Sequence, residues 1–144
     1  MSQRFFDAHL DLAYLAELGR DMHASLDDCR GRLSPAAVTL DSLRDGCVRG
    51  CLGTIFTEAI QPKSTALTMP GDDEPGAFAY PAGDAPAAWR AGMRQLKLYQ
   101  AWRDAGVIRL IPRRGSSPKP QPASYRTEPI QLGILMECAD PIEH

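Results

Sequence analysis

Apolar runs separated by polar, glycine-rich or proline-rich stretches predict a chain of alternating strands and helices. The apolar, β-prone segments predict strands over residues 4–8, 48–60, 107–111 and 130–138. The last of these, Ile130–Cys138, is so continuously apolar that we expect it to be buried on both faces, as strands of parallel sheets are.

Helical spacing of apolar residues predicts helices between these strands. One covers residues 10–22, and Pro35 can open a second helix that Gly46 ends. The clearest covers residues 85–105, because Asp84 can cap its first turn and Gly106 follows its end. Its apolar positions form one stripe that we expect to pack against a sheet: Trp89, Met93, Leu96, Tyr99 or Gln100, and Trp102 or Arg103.

The order strand, helix, strand, helix, strand predicts an α/β fold with a parallel sheet. The 144 residues are enough for a single domain with a hydrophobic core, and no segment repeats internally. Residues 61–83 and 112–129 are rich in proline and in small or polar residues, and they predict long loops.

Composition narrows the classes of partner. Hydrophobic residues make up 44% of the chain and charged residues 24%, and the net charge is −2, which favours neither nucleic acid nor an anionic membrane surface. No apolar stretch reaches the roughly 20 residues that span a bilayer, and no secretory signal precedes the first strand, so we expect a cytoplasmic protein. The four cysteines lack a zinc-finger spacing and are expected to be structural thiols. The oligomeric state stays open, a homodimer included.

The residues that could carry chemistry stand at the ends of the first and last predicted strands. His9 and Asp11 are two apart, so their side chains point to the same side and can share one divalent metal ion. Glu137 ends the last apolar strand, where a buried acid needs a cationic partner. A metal ion at His9 and Asp11 would be that partner; the alternative is that the Glu137 carboxylate reaches solvent.

Three segments, in chain order, resemble the membrane (renal) dipeptidase family of zinc peptidases. Residues 6–12 (FDAHLDL) resemble the family's opening D-G-H-x-D segment, and residues 41–50 (DSLRDGCVRG) resemble its L-R-x-G-G-V-G turn. Residues 133–140 (GILMECAD) resemble its glutamate strand. Ala8 and Cys138 stand where the family usually has glycine.

The resemblance implies the N-terminal portion of a (β/α)8 barrel of the TIM type, with about three parallel strands and their helices, so that residues 1–144 form an incomplete domain. It further implies that His9 and Asp11 bind one of two Zn²⁺ ions and that Glu137 bridges both as the catalytic carboxylate. A metal-bridging hydroxide would then attack the peptide carbonyl of a dipeptide substrate.

The same resemblance places the second zinc's histidines and the substrate-binding residues on later strands. The remaining histidines do not fit those positions, because His23 falls in an early loop and His144 is the last residue. We therefore expect these 144 residues to be inactive alone.

Two other functions stay open. The chain could belong to a different metal-dependent amidohydrolase of the barrel class, although such enzymes usually open with His-x-His where this chain has His9 and Asp11. It could also be a non-catalytic α/β module that binds a partner through the loops at 61–83 and 112–129. Such a module would keep its fold without metal.

Overall fold

The structure is a computed structural model that describes residues 4–29, 38–60, 79–111 and 129–138, with the backbone alone for residues 135–138. Its elements are β1 (Phe5–Leu10), α1 (Leu12–Glu17), α2 (Leu40–Asp45), β2 (Val48–Ile60), β3 (Ala79–Pro81), α3 (Ala85–Asp104), β4 (Ile108–Leu110) and β5 (Ile130–Cys138). The predicted helix start at Pro35 and most of the two predicted long loops lie outside the described residues.

The described strands pair in parallel throughout. β2 lies between β1 and β5, and β4 flanks β5, which gives the order β1-β2-β5-β4. β3 pairs with the last residues of β2, from Glu58 to Ile60. The predicted α/β class with a parallel sheet is confirmed.

β1, β2 and β5 lie side by side in the sheet, although β3 and β4 come between β2 and β5 in the chain. The short β4 pairs with residues 130–132 of β5 on the side away from β2. The described residues form an open sheet. Asp11 directly follows β1 and Glu137 is the second-last residue of β5, so both lie at the C-terminal end of the parallel strands.

Local sequence explains where two helices begin and end. α2 starts with a capping box, in which the Thr39 hydroxyl accepts from the Ser42 N–H at 3.1 Å and the Ser42 hydroxyl accepts from the Thr39 N–H at 2.9 Å. α3 starts where the Asp84 carboxylate accepts from the Ala87 N–H at 2.9 Å. It ends before Gly106, whose φ of 73° suits glycine. The predicted signals at Asp84 and Gly106 are confirmed.

Two predicted elements have other bounds in the structure, and one strand was not predicted. β1 continues to Leu10, and the helix predicted over 10–22 is confined to Leu12–Glu17. Pairing with β2 extends the strand, since Leu10 pairs with Gly53 after a register shift that follows Asp7. β3 lies inside the predicted loop 61–83, because its three residues are held by pairing with β2 rather than by a local pattern.

The buried face of α3 differs from the predicted stripe. It consists of Ala91, Gln95, Tyr99 and Trp102. Tyr99 and Trp102 are buried as predicted, but Trp89 is 70% exposed. At about 100° per residue Trp89 lies on another side of the helix from Ala91 and Gln95, and hydrogen bonds from Gln95 and Tyr99 to β2 decide which side faces the sheet.

The first part of β5 is buried on one face only. Ile130 and Leu132 are fully buried in the same cluster as Leu40 and Trp102, whereas Gln131 is exposed. The prediction of burial on both faces is therefore wrong at Gln131, since the described helices pack against the face that carries Ile130 and Leu132. Among the described helices, none has the length and apolar character that crossing a bilayer requires.

Candidate metal site

The site begins where β1 ends and α1 starts. Leu10 is the last strand residue, and Asp11 is the N-cap of α1. Its side chain makes no capping hydrogen bond to the helix, so the carboxylate is available for other partners. Within β1, the Asp7 carboxylate accepts from the His9 N–H at 3.0 Å, and this hydrogen bond fixes the backbone between Asp7 and His9.

His9 and Asp11 come together as their spacing predicts. The His9 Nε2 atom lies 3.5 Å from the Asp11 Oδ1 atom, and both side chains are partly open to solvent, at 51% and 39% exposure. Two donor atoms bound to one tetrahedral zinc at 2.0–2.1 Å would lie about 3.3–3.4 Å apart. The imidazole of His9 and the carboxylate of Asp11 therefore lie at a separation that suits two ligands of one metal ion.

Thr54 of β2 holds the Asp11 carboxylate. The Thr54 hydroxyl donates to Asp11 Oδ1, and the Thr54 residue is fully buried. Within the described residues, no hydrogen-bond partner contacts the other carboxylate oxygen, Oδ2. Asp11 thus combines a fixed orientation with an oxygen available to a cation.

Tyr99 of α3 forms hydrogen bonds to the backbone on both sides of the contact between Thr54 and Asp11. Its hydroxyl donates to the Thr54 carbonyl oxygen at 2.8 Å and accepts from the Ala13 N–H at 3.4 Å. Burial raises the pKa of the Tyr99 phenol, so the group keeps its proton well into alkaline solution. One hydroxyl therefore joins the strand that carries Thr54 to the helix that follows Asp11.

Tyr14 and Glu58 add polar groups to the same end of the sheet. Burial, followed by the charges of Glu58 and Asp11, raises the pKa of Tyr14. The Tyr14 ring meets the Phe56 ring edge-on, with centroids 5.3 Å apart. Neither residue was among the predicted site residues. Glu58 had a usable signal, because it is an acid near the end of an apolar strand, as Glu137 is.

A buried glutamine fixes the end of β2 beside the site. The Gln95 side chain accepts from the Phe56 N–H at 2.8 Å and donates to the Phe56 carbonyl oxygen at 2.5 Å. It also donates to Glu17 at 2.9 Å, whose side chain is only 7% exposed. These bonds tie α1, α3 and β2 together and satisfy a polar side chain with no exposure to solvent.

Glu137 reaches the same end of the sheet through the β5 backbone. It is the register partner of Phe56, and Leu135 is the partner of Thr54. The side chain of Glu137 lies outside what the structure describes. Within the described side chains, no three metal-binding residues of the His, Cys, Asp or Glu types gather at one point. The geometry thus brings together His9 and Asp11, and the third predicted ligand, Glu137, stays a prediction.

The structure describes the side chains of one further histidine, His23, and of three cysteines. His23 is exposed in a turn where its N–H donates to Asp21 at 2.9 Å, and His144 lies outside the described residues. Cys29, Cys47 and Cys51 are free thiols, as expected. Burial, and then the charge of Asp7, raises the pKa of Cys51 to about 12, so this thiol is a poor metal ligand at neutral pH.

An apolar cavity of about 340 Å³ lies between α3 and the sheet. It is lined by Ile55, Thr57, Tyr80, Trp89, Met93 and Leu96, among others. The exposed Trp89 therefore lies at the edge of this cavity. The residues that line the cavity include neither His9 nor Asp11.

The turn between α2 and β2 has a left-handed backbone at Cys47, whose φ of 59° lies in the region that favours glycine. Arg44 of the same segment donates to Asp41 and to the Val107 carbonyl oxygen, both at 3.1 Å, and so joins α2 to the turn before β4.

Comparisons with protein-family models, with curated proteins and with solved structures give no match. The family resemblance of the three segments therefore stays a prediction.

Proposed function

We propose that this chain carries half of the dinuclear zinc site of a dipeptidase built on a (β/α)8 barrel. The observation that carries the proposal is the His9 Nε2 to Asp11 Oδ1 distance of 3.5 Å at the end of β1. Active sites of parallel barrels are built at this end of the strands. The segments that resemble the dipeptidase family fall on β1, on the turn from α2 to β2, and on β5.

In this proposal, His9 and Asp11 would hold one zinc ion, and Glu137 would contribute a further carboxylate ligand. The donor set fits zinc, which accepts imidazole nitrogen together with carboxylate oxygen. When bound, zinc supplies a Lewis acid that polarises a peptide carbonyl and lowers the pKa of water. The chain's own part is to orient Asp11 through the hydroxyl of Thr54.

Hydrolysis assays with and without a chelator test this function. We expect the purified full-length protein to hydrolyse dipeptides, a chelator to lower the rate at least about 100-fold, and added Zn²⁺ to restore it. Glu137→Gln should cause a comparable loss, because an amide is a much weaker zinc ligand than a carboxylate.

The alternatives give different results in the same assays. A related amidohydrolase would lose activity with chelator but would act on ring amides and leave dipeptides intact. A binding module would hydrolyse neither substrate, and its thermal unfolding would be cooperative and insensitive to chelator. Either pattern would overturn the proposal.

A further inference from the structure

Thr54 occupies a position where packing alone does not require a hydroxyl. It is fully buried in the middle of β2, where valine or isoleucine suits a strand equally well. A buried hydroxyl costs free energy unless it is hydrogen-bonded, and this one donates to Asp11 Oδ1, from a residue 43 positions away in the chain. The hydroxyl therefore serves the contact with Asp11.

The Thr54 backbone is held as firmly as its side chain. Tyr99 donates to the Thr54 carbonyl oxygen at 2.8 Å, and Gln95 binds both backbone groups of Phe56 two residues later. Both side chains from α3 are completely buried. The hydroxyl thus acts from a rigid strand, which is what a group needs if it is to fix the orientation of another residue.

We propose that Thr54 is a positioning residue for a divalent cation at Asp11: its hydroxyl donates to Oδ1 and fixes the plane of the carboxylate, so that the carboxylate faces the metal beside His9. This inference rests on the proposed zinc site and assigns a role that neither the spacing of His9 and Asp11 nor the family resemblance contains. Residues that hold a metal ligand by a hydrogen bond typically change metal affinity 10–100-fold when they are removed.

A purely structural role for Thr54 leads to a different expectation. If the hydrogen bond to Asp11 only compensates the burial of the Thr54 hydroxyl, removal of the hydroxyl alters the stability of the fold but leaves the metal affinity unchanged. Thr54→Val keeps the shape and β-branching of the side chain and removes the donor. Thr54→Ser keeps the donor and removes a methyl group. The pair separates hydrogen bonding from packing.

Cobalt(II) is the probe, because its visible absorption reports both affinity and ligand geometry. The full-length protein is titrated with Co²⁺ as wild type, Thr54→Val, Thr54→Ser and Asp11→Asn. We expect Thr54→Val to bind Co²⁺ 10–100-fold more weakly with an altered spectrum. Thr54→Ser should stay within about threefold of wild type and keep its spectrum.

Each result decides between the two claims. If Asp11→Asn weakens Co²⁺ binding and Thr54→Val binds as wild type with the same spectrum, the role of Thr54 is refuted and the metal site stands. If wild type binds no Co²⁺, or Asp11→Asn binds it unchanged, the proposed site itself fails and Thr54 loses its role with it. Should Thr54→Val not fold, Thr54→Ala provides the test, since it removes the donor without adding a metal ligand, and unchanged affinity there also refutes the role.

Discussion

Asp11→Asn is expected to weaken Zn²⁺ binding at least about 100-fold, or about 2.7 kcal/mol. The amide keeps the size of the carboxylate and can still accept the Thr54 hydroxyl, so the local structure survives. What is lost is the negative charge and the anionic oxygen that zinc prefers as a ligand. Competition against a chromophoric chelator measures the affinity directly.

Asp7→Asn is the matched control for this prediction. Asp7 lies on the same strand and accepts the His9 N–H at 3.0 Å, which an amide oxygen can also do. Its Zn²⁺ affinity should stay within about threefold of wild type, far below the change expected when a ligand is lost. Equal affinities for wild type and Asp11→Asn would contradict the assignment of Asp11 as a ligand.

Gly53→Ala is expected to destabilise the fold by about 2–3 kcal/mol. A Cβ atom at Gly53 would lie 2.8 Å from the Tyr99 hydroxyl oxygen and 3.0 Å from two atoms of its ring. Tyr99 cannot move aside freely, because it is fully buried and its hydroxyl is bonded to Thr54 and Ala13. The substitution therefore displaces the ring and strains or breaks these hydrogen bonds.

Gly92→Ala in α3 is the control, since a Cβ atom there meets only the Ile55 Cγ2 atom at an ordinary 3.5 Å. Alanine also favours a helix interior by up to about 1 kcal/mol over glycine, so this variant should be neutral or more stable. Urea unfolding of both variants measures the difference. A Gly53→Ala protein as stable as Gly92→Ala would show that the Tyr99 contact is looser than described.

Much of the fold could be predicted because its signals are local. The start of α3 depends on Asp84 and its end on Gly106, each within one turn of the boundary that it marks. β2 is long, apolar and β-prone, and its limits at Val48 and Ile60 follow from that composition. The proximity of His9 and Asp11 could be predicted from their two-residue spacing at the end of a strand, although Asp11 itself lies just beyond β1.

The features that escaped prediction depend on contacts between distant segments. The face of α3 that is buried is decided by Gln95 and Tyr99 bonding to β2, so Trp89 was wrongly placed in the core. The contact between Thr54 and Asp11 requires the register of β1 against β2, which no local pattern contains. The burial of Gln95 could not be predicted either, since a glutamine in a helix usually faces solvent.

Anomalous scattering at the zinc absorption edge, from crystals of the full-length protein grown with Zn²⁺, tests the central claim most directly. We predict a peak about 2.0–2.2 Å from a ring nitrogen of His9 and from a carboxylate oxygen of Asp11, with the Glu137 carboxylate next to it. A zinc peak bound elsewhere, or no peak between His9 and Asp11 at saturating zinc, would contradict the account.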